Sequence, residues 1–154
     1  MTAYMQRRHL QYARTQLFDL VADVKAYPEF LPWVKEVDVH QRKDHSIFVS
    51  MTVADGPLRR RFSTMAVLDR PHRIEISSYD PIFVRFEQQW TFETVNEGGT
   101  NVEYHVDFKF RSRILGMLMR ESFTGRAAAT MAAFERRAQQ LCGHQVWPRS
   151  NKIR

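Results

Sequence analysis

Residues Ile114–Leu141, ILGMLMRESFTGRAAATMAAFERRAQQL, carry the longest periodic signal in the chain. Leu115, Leu118, Met119, Ser122, Phe123, Ala127, Thr130, Met131, Phe134, Ala138 and Leu141 recur at steps of three and four. That spacing lays them on one broad stripe of an α-helix. Arg113, Arg120, Glu121, Glu135, Arg136 and Gln139 fall on the opposite, water-facing side. At ~1.5 Å per residue such a helix spans roughly 40 Å, longer than a small domain needs. A bend is therefore expected at Gly125, because an interior glycine weakens a helix by about 1 kcal/mol.

Immediately upstream the period changes from three-and-four to two. Val102, Tyr104, Val106, Phe108 and Phe110 alternate with Glu103, His105, Asp107 and Lys109, so one face of a strand is apolar. Val84, Phe86, Gln88, Trp90 and Phe92 do the same one strand earlier, and Ile47, Val49, Met51 and Val53 earlier still. Ile74 and Ile76 add a short pair. Between Leu58 and Leu68 the pattern is mixed. Phe62, Ala66 and Leu68 share a face while Met65 and Val67 take the other, which a bulge or two-sided burial would explain. Turn signals at Lys43-Asp44, Asp55-Gly56-Pro57, Arg70-Pro71, Asp80-Pro81 and Asn96-Glu97-Gly98-Gly99 divide this region into an antiparallel meander of consecutive strands.

Nearer the start, Tyr4–Tyr12 reads as a first strand. Thr15 offers an N-cap for a helix carrying Leu17, Phe18, Val21, Ala22 and Val24. Pro28 suits the first turn of a second short helix, and Pro32 ends it. Tyr27, Phe30, Leu31 and Trp33 crowd into that break. A core plug and a pocket wall both fit them.

The elements imply an α+β fold: a seven-stranded antiparallel sheet, two short helices after the first strand and a long C-terminal helix. Such a sheet is roughly 30 Å wide, against about 10 Å for one helix. One helix covers that face only if the sheet curves around it, and a curved sheet gripping a helix encloses a cavity. Ordinary core packing accounts for any single inward aromatic residue, but the set as a whole suggests a pocket. The expected lining is Phe30, Leu31, Pro32, Trp33, Phe62, Phe86, Gln88, Trp90, Tyr104, Phe108, Leu118, Phe123, Met131 and Phe134. Met117, Met119 and Met131 supply flexible side chains that repack around an irregular guest. Gln88, Tyr104, Thr64 and Arg60 are the polar residues placed towards it.

At 154 residues, with 44% hydrophobic and 26% charged content, one soluble domain is expected. We place it at residues 1–143, followed by a disordered basic tail over 144–154. No apolar run is long enough to span a bilayer, and no secretion or import leader is read at the N-terminus, which suggests a cytoplasmic protein. The lone Cys142 excludes an internal disulfide. The net charge of +6 suits a nucleic acid, a ribosome or an anionic membrane. Dispersed basic residues without interleaved exposed aromatics argue against direct DNA binding. Arg111, Arg113 and Arg120 form a candidate membrane or partner surface. The six histidines are scattered, no phosphate-binding glycine loop appears and inward carboxylates are scarce, so neither a metal site nor a catalytic residue is assigned.

The run Val21-Ala22-Asp23-Val24 through Tyr27-Pro28-Glu29-Phe30-Leu31-Pro32-Trp33 resembles the signature of the coenzyme Q-binding family of the START-like, helix-grip superfamily. That family is filed with the polyketide cyclase/dehydrase proteins and allied to the ribosome-association toxin RatA. Phe62, Leu68-Asp69-Arg70-Pro71, Trp90-Thr91-Phe92, Phe108-Lys109-Phe110 and Met131–Ala138 extend the resemblance over about Ala3 to Gly143. Val34 stands where many relatives carry cysteine, and Asp80-Pro81-Ile82-Phe83 replaces a Gly-Pro-Phe turn. The resemblance implies non-enzymatic binding of ubiquinone, delivered to respiratory or biosynthetic enzymes, with peripheral contact at the inner membrane. Two alternatives stay open: a regulator bound to the large ribosomal subunit, and an aromatase or cyclase using Arg60 with Tyr104.

Overall fold

The structure, a computed structural model, describes residues 2–56 and 58–142. The expected tail over 144–154 lies outside the described residues. The chain runs β1 (Thr2–Leu10), α1 (Arg14–Ala22), a 3-10 helix (Val24–Glu29), β2 (Val34–Arg42), β3 (Ser46–Asp55) and β4 (Leu58–Asp69). It continues through β5 (Arg73–Ser77), β6 (Phe83–Thr94), β7 (Thr100–Phe110) and α2 (Arg113–Cys142). All seven strands form one antiparallel sheet in the order β1-β7-β6-β5-β4-β3-β2. The meander accounts for every neighbour except β1, which returns to pair with β7 from Thr2 opposite Phe108 to Leu10 opposite Thr100. Together with α2 across its inner face, this is the α+β helix-grip architecture.

The start of α1 differs from expectation. Its N-cap is Ala13, not Thr15. Gln16 makes the return half of a capping box, its side-chain oxygen accepting the Ala13 N–H at 3.0 Å. The 3-10 helix keeps Pro28, and Tyr27 beneath it donates its hydroxyl to the Val21 carbonyl. A bidentate pair ties α1 to the β4–β5 turn: Arg70 Nε and Nη2 lie 2.7 and 2.9 Å from the Asp19 carboxylate oxygens.

Two strand readings are corrected. Val84 points outward and is 52% exposed, while Phe83 is buried. A register shift between Phe83 and Arg85 in the β6–β7 ladder adds a residue and swaps the faces, after which Phe86, Trp90 and Phe92 resume the expected side. In β4 the ladder to β3 is unbroken, so neither a bulge nor two-sided burial is present. Met65 and Val67 sit exposed on the outer face, with Met65 paired to Phe48 of β3.

The long helix runs through Gly125 as one α-helix, and a Cβ on Gly125 would meet nothing within 4 Å. Its buried stripe is narrower than the sequence suggests: Met119, Ala127, Met131, Ala133, Phe134 and Ala138 carry it. Leu118 lies about 100° around the helix from Met119. It is 63% exposed, in line with Ile114 and Met117 on the outer side.

Candidate ligand cavity

Period-two alternation aims one set of side chains from each central strand at α2, and their ring sizes prevent close filling. A cavity of about 130 Å³ remains between helix and sheet. Leu31, Trp33 and Val34 close one side of it after the 3-10 helix. Val49, Met51, Val53, Phe62, Thr64, Ala66, Ile76, Phe86, Gln88, Trp90, Tyr104, Val106 and Phe108 form the sheet wall. Phe123, Arg126, Ala127, Thr130 and Phe134 form the roof. The aromatic rings brace one another: Phe134 meets Trp90 edge to face at 5.1 Å between centroids, and Phe123 meets Phe108 at 4.9 Å.

Ten of the residues expected at the cavity line it: Leu31, Trp33, Phe62, Phe86, Gln88, Trp90, Tyr104, Phe108, Phe123 and Phe134. The other four lie elsewhere. Leu118 is on the outer helix surface and Pro32 is exposed at the end of the turn. Met131 is buried in solid packing. Phe30 stacks edge to face on Phe134 at 5.0 Å, behind the lining. Arg60 is also not inside. It is exposed and holds Asp80 at 2.8 Å.

Most polar groups of the lining are engaged. The Thr130 hydroxyl, on the roof, donates to the Arg126 carbonyl at 2.7 Å. Thr64 reaches the Val49 carbonyl at 3.5 Å. Burial drives the Tyr104 and Tyr27 phenols well above their ordinary titration range, so both stay protonated near neutrality.

The pair that sequence reasoning missed is Asp55 and Arg126. Arg126 Nη2 lies 2.8 Å from Asp55 Oδ1, and its guanidinium covers the Trp33 ring at 5.5 Å from the centroid. The pair pins α2 to the β3–β4 hairpin and to the exit of the 3-10 helix. One signal for it was present: Asp55 continues the phase of Val49, Met51 and Val53. Its turn-forming neighbours Gly56 and Pro57 outweighed that phase.

On the surface, Arg113 and Arg120 are exposed and make no ion pair among the described residues, while Arg111 has another task. Its Nε donates to the Pro81 carbonyl at 3.0 Å and its Nη2 to the Phe83 carbonyl at 3.2 Å, holding the β5–β6 loop to the start of α2. Ile114, Met117 and Leu118 stand exposed between the arginines. No helix among the described residues is long and apolar enough to cross a membrane.

Known proteins are similar to this chain in sequence and in fold. The chain is 33% identical over 144 residues to the ribosome association toxin RatA of Pseudomonas aeruginosa, covering 93% of this chain and all of that one. It is 26% identical over 133 residues to the mitochondrial coenzyme Q-binding protein coq10 of Schizosaccharomyces pombe, covering 82% and 79%. Its fold matches that of a START superfamily protein from Mycobacterium smegmatis with a TM-score of 0.76 at 16% identity, over 90% and 98% of the two chains. The sequence profile of one family, described as polyketide cyclase/dehydrase and lipid transport, matches residues 10–135. With that match spanning most of the helix-grip domain, the chain belongs to the polyketide cyclase/dehydrase and lipid transport family and is related to RatA.

Proposed function

We propose that the protein binds and carries a polyprenyl quinone, ubiquinone, without chemistry on it. The observation that carries this reading is the size and wall of the cavity. At about 130 Å³ it is close to the ~150 Å³ apolar cavity that takes a benzene ring, and well below the ~300 Å³ of pockets that enclose larger ligands. That is the scale of a single ring, and a substituted one enters between Trp90, Phe86, Phe108 and Phe134 as those side chains give way. A polyprenyl tail does not fit with it. The tail gains little from protein burial in any case, because the ~0.8 kcal/mol per CH₂ of transfer from water is already met in a bilayer. Specificity therefore comes from the ring, and the tail stays outside the cavity.

The polar lining favours binding over turnover. Tyr104 is a poor proton donor at neutral pH, and Arg60 stands outside the cavity on Asp80, so the acid–base pair a cyclase would need is not assembled. Membrane contact is assigned to the start of α2, where Ile114, Met117 and Leu118 offer apolar surface flanked by Arg113 and Arg120. Delivery to a respiratory or biosynthetic enzyme follows from a carrier that releases its ring at the bilayer.

Organic extraction of protein purified from a quinone-producing host, followed by mass spectrometry, tests the reading. Ubiquinone in the wild-type extract, absent from a folded Trp33→Ala/Phe134→Ala variant, supports it. An empty extract from protein that also rejects added ubiquinone rejects it. A second reading, association with the large ribosomal subunit, is favoured by the 33% identity to RatA together with the +6 charge. Co-sedimentation with purified large subunits at physiological salt decides that one.

A further inference from the structure

We infer that Asp55 makes the cavity selective for the reduced ring: a hydroquinone, donating an O–H to Asp55 Oδ2, is held in preference to the quinone. The inference rests on the reading of the cavity as a quinone site and adds the redox state of its occupant.

The Asp55 side chain is 2% exposed and lines the cavity. Its Oδ1 takes the Arg126 contact at 2.8 Å, while its Oδ2 is buried with no hydrogen-bond partner. A carboxylate is an acceptor only, and a buried acceptor left empty is costly. The neighbouring lining does not fill it. The Thr130 hydroxyl is taken by the Arg126 carbonyl, and no hydroxyl of the lining reaches Oδ2. What is missing is a donor on the occupant.

The two redox states differ in just this respect. Both ring oxygens of a quinone are acceptors, so either one brought to Asp55 Oδ2 sets acceptor against acceptor. Both ring oxygens of a hydroquinone carry a proton, and one O–H donated to Oδ2 is a charge-assisted hydrogen bond. Gln88, also on the sheet wall, has an amide that donates and accepts alike, and the Thr64 and Tyr104 hydroxyls do the same, so none of them discriminates between the forms. Selectivity therefore falls to Asp55, held by Arg126, whose guanidinium lies over the Trp33 ring.

Anaerobic calorimetric titration of the full chain with a short-tailed ubiquinone, its hydroquinone and the dimethyl ether of that hydroquinone tests this. The hydroquinone is expected to bind at least tenfold more tightly than the quinone. The ether, with the same ring and no donor, should bind no better than the quinone. A tenfold preference raises the midpoint potential of the bound two-electron couple by ~30 mV relative to the free couple. In Asp55→Asn, whose amide can donate to a carbonyl, the preference should fall below threefold. The three-ligand comparison on wild-type protein stands even if that variant does not fold. Equal affinities, a preference for quinone, or an ether as tight as the hydroquinone would overturn the selectivity and leave the carrier reading intact. Rejection of all three ligands would overturn both.

Discussion

Phe134 of α2 and Trp90 of β6 meet edge to face at 5.1 Å between centroids, joining the roof of the cavity to its floor. The Phe134 ring also meets Tyr27 at 5.5 Å and Phe30 at 5.0 Å. One side chain thus bridges the helix, the sheet and the 3-10 turn. Phe134→Ala removes all three contacts beside an existing void, and the expected loss is ~3–5 kcal/mol. Leu118→Ala, on the exposed side of the same helix, should cost under ~0.5 kcal/mol. Urea denaturation of the two variants checks the contrast; equal losses would mean that α2 is rotated from the orientation described.

The hairpin between β6 and β7 turns on Gly99, at φ +79°, where a Cβ would lie 2.6 Å from the Leu10 carbonyl oxygen. Gly56 has a similar φ of +59°, yet its nearest neighbour would be Ser122 Oγ at 4.0 Å. Gly56→Ala should cost only the left-handed penalty, about 1 kcal/mol, and Gly99→Ala more than ~2 kcal/mol, because backbone must also move. Thermal unfolding of both variants tests the difference.

Tyr27 and Tyr104 are raised above the ordinary phenol value of 10.0, first by desolvation. In the unfolded chain both ionise near that value; in the fold both ionise only at higher pH. Their contribution to stability is therefore complete below pH ~10 and lost as pH climbs from there through the folded-state values. The slope should reach about 1.4 kcal/mol per pH unit for each tyrosine. Denaturant titrations above pH 10 should show this decline in wild type and about half of it in Tyr104→Phe. An undiminished slope in Tyr104→Phe would contradict the burial argument.

Arg113 and Arg120 hold no ion-pair partner among the described residues, so reversing their charge should not disturb the fold. At about 1 kcal/mol per basic residue near an anionic surface, Arg113→Glu with Arg120→Glu should weaken liposome binding at least thirtyfold, roughly 2 kcal/mol. Sedimentation with phosphatidylserine vesicles measures it. Unchanged binding would remove the start of α2 as the docking face.

Much of this protein is decided locally and can be read along the chain. The alternation in Val102–Phe110 and Ile47–Val53, with turn residues between strands, determines the meander and its inner face, because a strand's side chains have no choice but to alternate. The three-and-four spacing from Met119 to Ala138 determines the helix. Most of the cavity wall follows from those two periods.

What remained for the tertiary structure depends on where elements meet. The bulge at Phe83 turns Val84 outward because of its partner strand β7, which local sequence does not contain. Leu118 satisfies the helical spacing as well as Met119 does. The sheet lies to one side of α2, so Met119 is buried and Leu118 meets water. Asp55 and Arg126 stand seventy-one positions apart and become a pair only when the hairpin and the helix close on Trp33. The cavity's apolar wall is thus a property of periodicity, while its polar end is a property of packing.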